Sequence, residues 1–554
     1  MTRRLTLLAP LTATLALAVA CGGAAAPTAT PTRIAAPTSA ATQSAQATGT
    51  PIPTTTAVPT PAPTPTKTVA KSHGRVVVAT SSYSDFDADI SRFRSGNTRP
   101  LTLNINDTLV GRNEEGKWYG LLAESWTAGP DKWTFKVKKG VKFHDGTAMK
   151  ASDIKFTIER QMAETFYIYR GELTGSISSV DAPDDTTLIV NTKQPYPVWL
   201  YRAEVGSAAL PQAYYTKVGQ AEFGKKPIGV GAYKFVSLQL GIKTEMTAFD
   251  DYHLGAPPVK DLVLLPVTEP TTQVAMLKAG EADLIDNVTG AHTVGLRNNP
   301  DYRLITTRYS NSRPMKFWDF LDDDPSKPIM NLKVRQAIAH SVDRQAIADR
   351  VFFGNAEPAA GAYNPLMIGF NPNLKPYAYD VAKAKQLMQE AGYANGFDIV
   401  FRTSVVDQVL VQALQSYLKD IGINAKIQVV EGAGAPPAVA KQINRGIDLT
   451  TGPPLAFADA EQVFWLFYLR IGTNGAWEDK KAYDMYEKIH VETDLPTRIR
   501  LLQESEVYLY EQLPIVPVVH THGVFAVNKK IDFKPTPGNY NIDPSRRITW
   551  MPGY

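Results

Sequence analysis

The chain has 554 residues, with 58 basic and 54 acidic side chains, a formal net charge of +4 and one cysteine. At about 150 residues per domain, this length predicts three or four domain-sized units. The near balance of charge argues against a surface that binds nucleic acid. A single cysteine excludes an intrachain disulfide and the zinc or iron–sulfur sites that need several thiolates.

The amino-terminal segment predicts export. Arg3 and Arg4 precede an apolar run over residues 5–20. As a helix, this run would rise about 24 Å, which is less than the roughly 30 Å of a bilayer's hydrocarbon layer. We therefore interpret residues 1–20 as a secretory signal peptide and not as a permanent membrane span.

Cys21 follows the small residues Ala18-Val19-Ala20 and precedes Gly22. This pattern resembles a bacterial lipobox, in which the cysteine sulfur receives a diacylglyceryl group, although the preferred Leu lies one residue early, at position 17. An ordinary cleavage site beside small residues is the alternative. We favour a lipid anchor at Cys21, because a free thiol in an exported chain has no other evident role.

Residues 21–72 are rich in Ala, Pro, Thr and Ser, and up to residue 70 their only charges are Arg33 and Lys67. Large apolar side chains are nearly absent, so the segment cannot bury enough surface to fold. We predict a disordered linker that tethers a folded body to the membrane. A glycosylated stalk is the alternative and would have the same mechanical role.

The folded body begins at about residue 75, and its first predicted element is a buried strand over 76–79. A hairpin is predicted over 133–143, because apolar residues alternate on both sides of a Lys139-Gly140 turn. A helix is then predicted with Ser152 as its N-cap, because apolar residues recur at every fourth position after it.

The second half predicts alternating helices and strands. Asp343 and Asp380 are candidate N-caps of two helices. Strands over 397–401 and 423–429 flank an amphipathic helix that ends at Gly422, and this order predicts parallel pairing. A late apolar run, 515–519, is a further strand. The predicted fold class is therefore mixed α/β.

Three motifs could carry chemistry, and we interpret each as structural. Residues 219–226 resemble a phosphate-binding loop, but Lys226 replaces its Ser or Thr and a proline follows where a helix must begin. His520 and His522 could bind a metal on one face of a strand, but no third ligand is evident. His144 could act as a base or could bond to the backbone of its turn. We predict no catalytic residue, metal or cofactor.

Several ordered segments resemble the extracytoplasmic solute-binding proteins of ABC importers, specifically the large dipeptide/oligopeptide-binding family (family 5). The similar segments run from about residue 75 to about 540. They are Leu122–Trp126, Trp133–Phe135, Gly140–Gly146, Ser152–Ile154, Pro227–Tyr233, Leu277–Asp283, Val334–Ile338, Ser341–Arg344, Asp380–Tyr393 and Leu418–Ile423. Val230 and Ala232 depart from the Thr and Pro that the family places there.

The resemblance implies a two-lobed α/β fold of mixed sheets, with a hinge between the lobes and an extra subdomain in the first lobe. By the family's pattern, lobe one comprises 73–318 and 513–554, and lobe two comprises 319–512. Such a protein closes on a solute between the lobes and does not catalyse a reaction. The implied partners are a solute, the permease subunits of an ABC transporter and, through the lipid, the cell membrane. We expect a monomer outside the cytoplasm.

The resemblance also implies ligand contacts. The family's peptide binders hold the peptide amino group with an Asp of lobe two, and Asp459 occupies that segment here, without the usual Trp and Tyr. Weaker candidates are Tyr83, after the first strand, and Arg313 and Trp318, near the implied crossover. Phe457 and Trp465 flank Asp459. For each candidate, core packing or an ordinary surface role is the alternative.

The leading hypothesis is a lipid-anchored receptor for a peptide-like solute. Within the family, an oligosaccharide, an opine, a nickel chelate or haem is the alternative ligand, because one fold serves many ligands. A secreted hydrolase and a receptor that signals to a membrane sensor are the alternatives from other classes.

Overall fold

The computed structural model describes residues 72–81, 89, 99–113, 115–164, 167, 169–286, 288–361, 363–404, 407–430, 445–449, 459–472, 475–535 and 548–552. The predicted signal peptide, Cys21 and nearly all of the predicted linker lie outside these residues, so they stay predictions. Within the described part of the chain, no helix is both long and apolar enough to cross a bilayer.

The strands of the described residues are numbered in chain order. They are β1 (His73–Thr80), β2 (Val110–Arg112), β3 (Trp118–Gly120), β4 (Ala123–Ala128), β5 (Lys132–Val137), β6 (Ile177–Asp184), β7 (Thr187–Thr192), β8 (Tyr233–Gln239), β9 (Lys243–Ala248), β10 (Val259–Pro266), β11 (Leu284–Ile285), β12 (Tyr302–Phe317), β13 (Ala356–Pro358), β14 (Phe397–Thr403), β15 (Ile423–Val429), β16 (Ile447–Leu449), β17 (Ile515–Asn528), β18 (Ile531–Phe533) and β19 (Ile548–Trp550).

The α-helices are numbered in the same way. They are α1 (Arg99–Ile105), α2 (Ala151–Ala163), α3 (Arg170–Ser176), α4 (Trp199–Gly206), α5 (Gln212–Lys225), α6 (Pro270–Ala279), α7 (Gly290–Arg297), α8 (Leu332–Ser341), α9 (Arg344–Arg350), α10 (Val381–Glu390), α11 (Gln408–Asp420), α12 (Ala460–Val463), α13 (Lys480–Val491) and α14 (Leu495–Gln512). Short 3₁₀ helices cover Trp318–Asp322 and Pro328–Met330, and a π-helical turn covers Phe464–Tyr468.

One large mixed sheet runs through the described residues in the order β15-β14-β16-β12-β17-β11-β1-β10-β9-β8, with β13 added on β17. Its central pair, β12 and β17, is antiparallel, and we call these two the crossing strands. One end of β12 pairs only with β17, whereas Met315–Phe317 also pair with β16. The crossing strands thus connect the parallel strands around β14 with those around β1.

A separate antiparallel sheet, in the order β4-β5-β7-β6, is the centre of a small-sheet subdomain over residues 109–231. The strand character of Trp133 and Phe135 is confirmed, but the hairpin predicted over 133–143 is wrong. Strand β5 pairs with β4 and β7, and beyond the turn only an isolated bridge joins Lys142 to Ala148. The pattern of one strand could not reveal which non-local partner it would choose.

The helix predicted with Ser152 as its N-cap begins two residues earlier than this prediction places it, at Ala151, so Ser152 is not the N-cap. Its N-cap is Lys150, whose backbone N–H donates to the Asp153 carboxylate at 2.8 Å. A carboxylate in the first turn satisfies an orphan donor and suits the positive end of the helix. The near P-loop at 219–226 lies mostly inside α5, which is kinked at Gly219, so it does not form a strand–loop–helix.

The predictions for the second half are largely confirmed. The side chains of Asp343 and Asp380 cap α9 and α10, accepting from the backbone N–H of Ala346 and Lys383. Strands β14 and β15 are parallel and flank α11. The late strand, predicted over 515–519, is the first part of the longer β17.

The subdomain meets the core around β1 and β10 through main-chain atoms, a contact that we call the backbone joint. Its residues are His144, Gly229, Gly231 and Ile105. The Gly231 N–H donates to the Ile105 carbonyl at 2.8 Å, and a Cβ on Gly231 would lie 2.5 Å from the Ile105 carbonyl carbon. His144 Nε2 lies 2.9 Å from the Gly231 carbonyl, and its Nδ1 accepts from the Gly229 N–H at 3.3 Å. The ring of His144 therefore bonds to backbone, but its partners are Gly229 and Gly231 and not, as predicted, the backbone of its own turn.

On its other side the subdomain shares one continuous buried apolar cluster with the elements from β12 to β17. Charged and aromatic side chains complete this contact, which we call the side-chain joint. It comprises Glu172, Tyr196 and Arg202 of the subdomain, and Asp459, Glu461, His490 and Arg498 from α12 to α14. The Tyr196 and His490 rings lie 5.8 Å apart, centre to centre.

Candidate ligand-binding site

Parallel strands end together at two places beside the crossing strands. Strand β14 runs parallel to β15 and β16, and β1 runs parallel to β10 and β11. In open α/β sheets, ligands bind outside the carboxyl ends of the strands. These two edges, with the crossing strands between them, are therefore the candidate ligand-binding site.

At the edge of β1 and β11, Asp286 organises the strand ends. Its carboxylate accepts from the Thr80 hydroxyl at 2.5 Å, from the Ser81 N–H at 2.8 Å and from the Gln273 amide at 3.1 Å. Burial raises the pKa of Asp286, and these hydrogen bonds oppose the rise. Tyr83 follows this edge by sequence but lies outside the described residues, so its predicted contact stays a prediction.

At the other edge three charged residues form what we call the ionic row: Lys316, Asp448 and Arg402. They are direct cross-strand neighbours on β12, β16 and β14. Their chain neighbours Phe317, Ile447 and Phe401 belong to the apolar core, so the ionic row lies on the opposite face of the sheet. Both cations are only 2% exposed.

Trp318 packs over the ionic row. Its indole N–H donates to the Asp448 carboxylate at 3.0 Å, and the Lys316 ammonium lies 3.6 Å from the centre of its ring. Arg402 Nη2 is 3.8 Å from the same carboxylate, which is too far for a hydrogen bond. Burial lowers the pKa of Lys316 to about 7, although Asp448 acts against this. The predicted ligand contact of Trp318 stays a prediction.

Arg313 lies on the crossing strand β12, and its Nε donates to the Asp407 carboxylate at 2.9 Å. It lines a cavity of about 20 Å³ between the crossing strands and the π-helical turn, together with Ser312, His520 and Tyr468. Such a cavity has room for roughly one water molecule. It is too small for a solute in this conformation, and the predicted role of Arg313 stays a prediction.

The crossing strands are irregular where they pass between the two edges. Their register shifts between Thr307 and Asn311, and Tyr309 within this bulge has a positive φ of 54°. The Tyr309 hydroxyl donates to Glu357 at 2.8 Å, and both His520 and His522 meet its ring edge-on. The two histidines thus share one face of β17, as predicted.

Burial lowers the pKa of His520 to about 4, so its ring is neutral at pH 7. Among the residues that the structure describes, no group of three or more His, Cys, Asp or Glu side chains is placed to hold a metal ion.

Asp459 lies in the side-chain joint and is 3% exposed. Both of its oxygens accept from Arg498, at 2.8 and 3.0 Å, and one also caps α12 through the Glu461 N–H. The Glu461 carboxylate bonds to both Arg498 and His490. The structure therefore gives Asp459 a structural role. Its predicted contact with a ligand ammonium stays a prediction and would require this network to open.

Trp465 is part of the π-helical turn and is half-buried against the main apolar cluster. Phe457 lies outside the described residues, as Tyr83 does. The described candidates therefore fall in three places: Arg313 and Trp318 at the crossing strands, Asp459 in the side-chain joint, and Trp465 against the core. For Trp465 too, ligand contact stays a prediction.

The ionic row is not among the predicted sites, because its three members lie on strands that are far apart in the chain. One local signal was available. Lys316 and Asp448 each stand between two apolar residues, and Arg402 stands between the buried residues Phe401 and Thr403; a charge in such a place needs a partner. Only the strand register shows that they are one another's neighbours.

Comparisons with known proteins agree with this architecture. A model of the bacterial extracellular solute-binding proteins, family 5, matches residues 117–474. The glutathione-binding protein GsiB of Escherichia coli (strain K12) is 28% identical over 446 residues, which cover 76% of this chain and 84% of that protein.

Two solved structures have the same fold. The periplasmic binding protein DppA of Helicobacter pylori, in complex with the peptide STSA, superposes with a TM-score of 0.75 at 23% identity, covering 86% of this chain and 98% of that one. The binding protein AgaA of A. tumefacien R10, in complex with agropinic acid, gives 0.74 at 25% identity, covering 87% and 99%. The predicted two-lobed fold class and the family resemblance are confirmed.

Proposed function

Because the chain belongs to family 5 of the bacterial extracellular solute-binding proteins, we propose that it captures a small peptide-like solute and delivers it to an ABC transporter permease. The match across residues 117–474 carries this proposal, since it spans most of the small-sheet subdomain, the crossing strand β12 and the ionic row. The named ligand of GsiB, the tripeptide glutathione, supports a solute of this size and chemistry.

The proposed mechanism is closure of two lobes on the solute without breaking a bond. A solute that touches both strand edges binds the closed form more tightly and shifts the population towards it. We propose Arg313 and Trp318 as solute contacts, because both lie on or next to the crossing strand β12, between the two edges. The division into lobes at 318/319 and 512/513 is part of this proposal.

An opine is the second candidate solute, because AgaA, whose structure is in complex with agropinic acid, is 25% identical to this chain. Glutathione and agropinic acid are both small carboxylates. Both candidates would therefore present a carboxylate to the site, and they differ in the remainder of the molecule.

The proposal is tested by adding glutathione, the peptide Ser-Thr-Ser-Ala and agropinic acid to the purified protein. A ligand that binds only the folded state stabilises it by RT ln(1 + [L]/Kd), or about 2.7 kcal/mol at one hundred times Kd. We expect one of the three to raise the melting temperature in a saturable way and to be recovered unchanged by mass spectrometry. Conversion of a probe into products would favour a hydrolase, and no response to any of them would contradict the proposal.

We further propose that a lipid at Cys21 anchors the protein, as a monomer, on the outer face of the membrane. Several acyl chains suffice for this, because each buried CH₂ contributes about 0.8 kcal/mol. Cys21→Ala should move the protein from the membrane fraction to the soluble fraction. If the variant stays in the membrane fraction, the lipid assignment is wrong.

A further inference from the structure

The ionic row and the neighbouring Arg313–Asp407 pair bury more positive than negative charge. Three cations, Lys316, Arg313 and Arg402, lie among two carboxylates, Asp448 and Asp407. The side chains of the arginines and carboxylates are at most 16% exposed. When Lys316 is protonated, one positive charge of this group has no carboxylate to balance it, and an uncompensated buried charge is costly. An anionic group would supply the balance.

The guanidinium group of Arg402 uses only part of its hydrogen-bonding capacity. Its Nε and Nη2 make no hydrogen bond among the described residues. The equally buried Arg335 differs, because it donates to the backbone carbonyls of Ile329, Met330 and Gln512. Buried donors are nearly always satisfied, and exceptions require an explanation. The two atoms of Arg402 are free for an acceptor that is not part of the described chain.

The position of Arg402 suits a ligand group. It is the next-to-last residue of β14, and it pairs with Asp448 of the parallel strand β16 at the carboxyl edge. A guanidinium presents two parallel N–H groups that match the two oxygens of a carboxylate. The Trp318 ring covers Lys316 from the side, so Lys316 contributes charge next to Arg402 without a hydrogen-bonding carboxylate of its own.

We propose that Arg402, with Lys316 beside it, binds a carboxylate of the solute at this edge of the sheet. This inference rests on the proposed function and names the solute class: an anionic solute whose carboxylate enters the ionic row. Neither residue was among the predicted ligand contacts.

We expect the protein to take up protons when a carboxylate binds at the ionic row. The groups that face Lys316 are the Trp318 ring, Asp448 from β16 and Arg402 from β14. Burial lowers the pKa of Lys316 to about 7, so a large fraction of it is neutral at pH 7.5. A carboxylate placed next to Lys316 favours the charged form. Binding should then take up protons, and it should weaken as the pH rises from 7 to 9.

The test compares two buried arginines, each replaced by Met. Arg402→Met removes a cation with unfilled donors, so we expect an unchanged or higher melting temperature and at least a tenfold weaker affinity for glutathione. Arg335→Met removes a fully bonded cation, so we expect a lower melting temperature and an unchanged affinity in the folded protein. Lys316→Met is the second variant; it should lose the proton uptake that calorimetry detects in buffers of different ionisation heat.

Glutathione and its diethyl ester serve as the probes, because the ester lacks both carboxylates. We expect the unchanged protein to bind glutathione at least tenfold more tightly than the ester, and Arg402→Met to remove this preference. Equal binding of glutathione by Arg402→Met and the unchanged protein overturns the inference and leaves the proposed function intact. If glutathione, Ser-Thr-Ser-Ala and agropinic acid all fail to bind the unchanged protein, the proposed function is wrong and this inference falls with it.

Discussion

The small-sheet subdomain is attached on one side through main-chain atoms and on the other through side chains. At the backbone joint, Gly229 and Gly231 lie against Ile105 so closely that neither has room for a Cβ. At the side-chain joint, the contact is made by aromatic rings and by charged groups of opposite sign that form ion pairs. A main-chain contact permits no repacking, whereas a contact of charged side chains depends on which of them carry a charge. The first joint therefore depends mainly on shape, with His144 as its titratable group, and the second depends on charge.

The charge balance of the side-chain joint depends on His490. Three carboxylates, of Glu172, Asp459 and Glu461, face two guanidinium groups, of Arg202 and Arg498. Burial disfavours the charged ring of His490, but the Glu461 carboxylate 2.6 Å away more than offsets this and raises its pKa. Below this raised pKa, the protonated ring of His490 supplies the third positive charge. The two histidines of the joints thus respond in opposite directions, because burial lowers the pKa of His144 to about 4.

The largest expected effect comes from Arg498→Met. It leaves the Asp459 and Glu461 carboxylates buried without their main cation, which should lower the free energy of unfolding by about 3–5 kcal/mol. Arg500→Met on the same helix is the control, since Arg500 is exposed and bonds only to Glu504 in the described chain. It should cost less than about 1 kcal/mol. Urea denaturation measures both, and equal losses would remove the special role of the side-chain joint.

Acid should weaken the backbone joint through His144. The folded pKa of about 4 lies below the ordinary value of 6.5. The contribution of neutral His144 to the free energy of unfolding is therefore complete above pH 6.5. It is lost as the pH falls from 6.5 towards 4, by about 3 kcal/mol at most. His144→Asn should remove this part of the acid dependence. Urea denaturation between pH 4 and 7 checks this, and parallel curves for the variant and the unchanged protein would contradict it.

Adding one methyl group should distinguish the backbone joint from an ordinary surface. Gly231→Ala places a Cβ within 2.5 Å of Ile105, so we expect a loss of about 1–3 kcal/mol. The control is Gly224→Ala in α5, where a Cβ would meet nothing within 4 Å. That change should stabilise the helix by about 0.5–1 kcal/mol. If both variants melt at the same temperature, the close approach at Gly231 is not a constraint.

The smallest expected effect is the alkaline response of the side-chain joint. Because the pKa of His490 is raised in the folded protein, its contribution to the free energy of unfolding is complete below pH 6.5. This contribution is lost as the pH rises through the pKa of the folded protein. His490→Gln should therefore make stability less dependent on pH between 6.5 and 9. Thermal melts across this range measure the difference. A variant that retains the full alkaline loss would show that another group is responsible.

The sequence predicted those parts of the fold that depend on near neighbours. The caps at Asp343 and Asp380, and the parallel strands β14 and β15, follow from signals within a few residues or one short crossover. The pairing partners of β5 do not follow from such signals, because an alternating strand fits several neighbours equally well. The family resemblance supplied the two-lobed architecture that periodicity alone could not give.

The candidate site was less predictable than the fold. Arg313 and Trp318 were chosen for their place near a crossover, and both lie at the crossing strands. Asp459 was chosen by its place in a segment, and the structure shows its carboxylate bonded to Arg498, which is 39 residues away in the chain. The ionic row depends on the register of three distant strands. A local pattern can show that such a charge is buried, but it does not show which distant residue is its partner.

Strands β12 and β17 are hydrogen-bonded to each other on both sides of the bulge at Tyr309. Because the two strands are bonded to each other on both sides of this bulge, neither can bend without the other. The ladder between them is interrupted from Thr307 to Asn311, so a bend of the pair would disturb the fewest hydrogen bonds there.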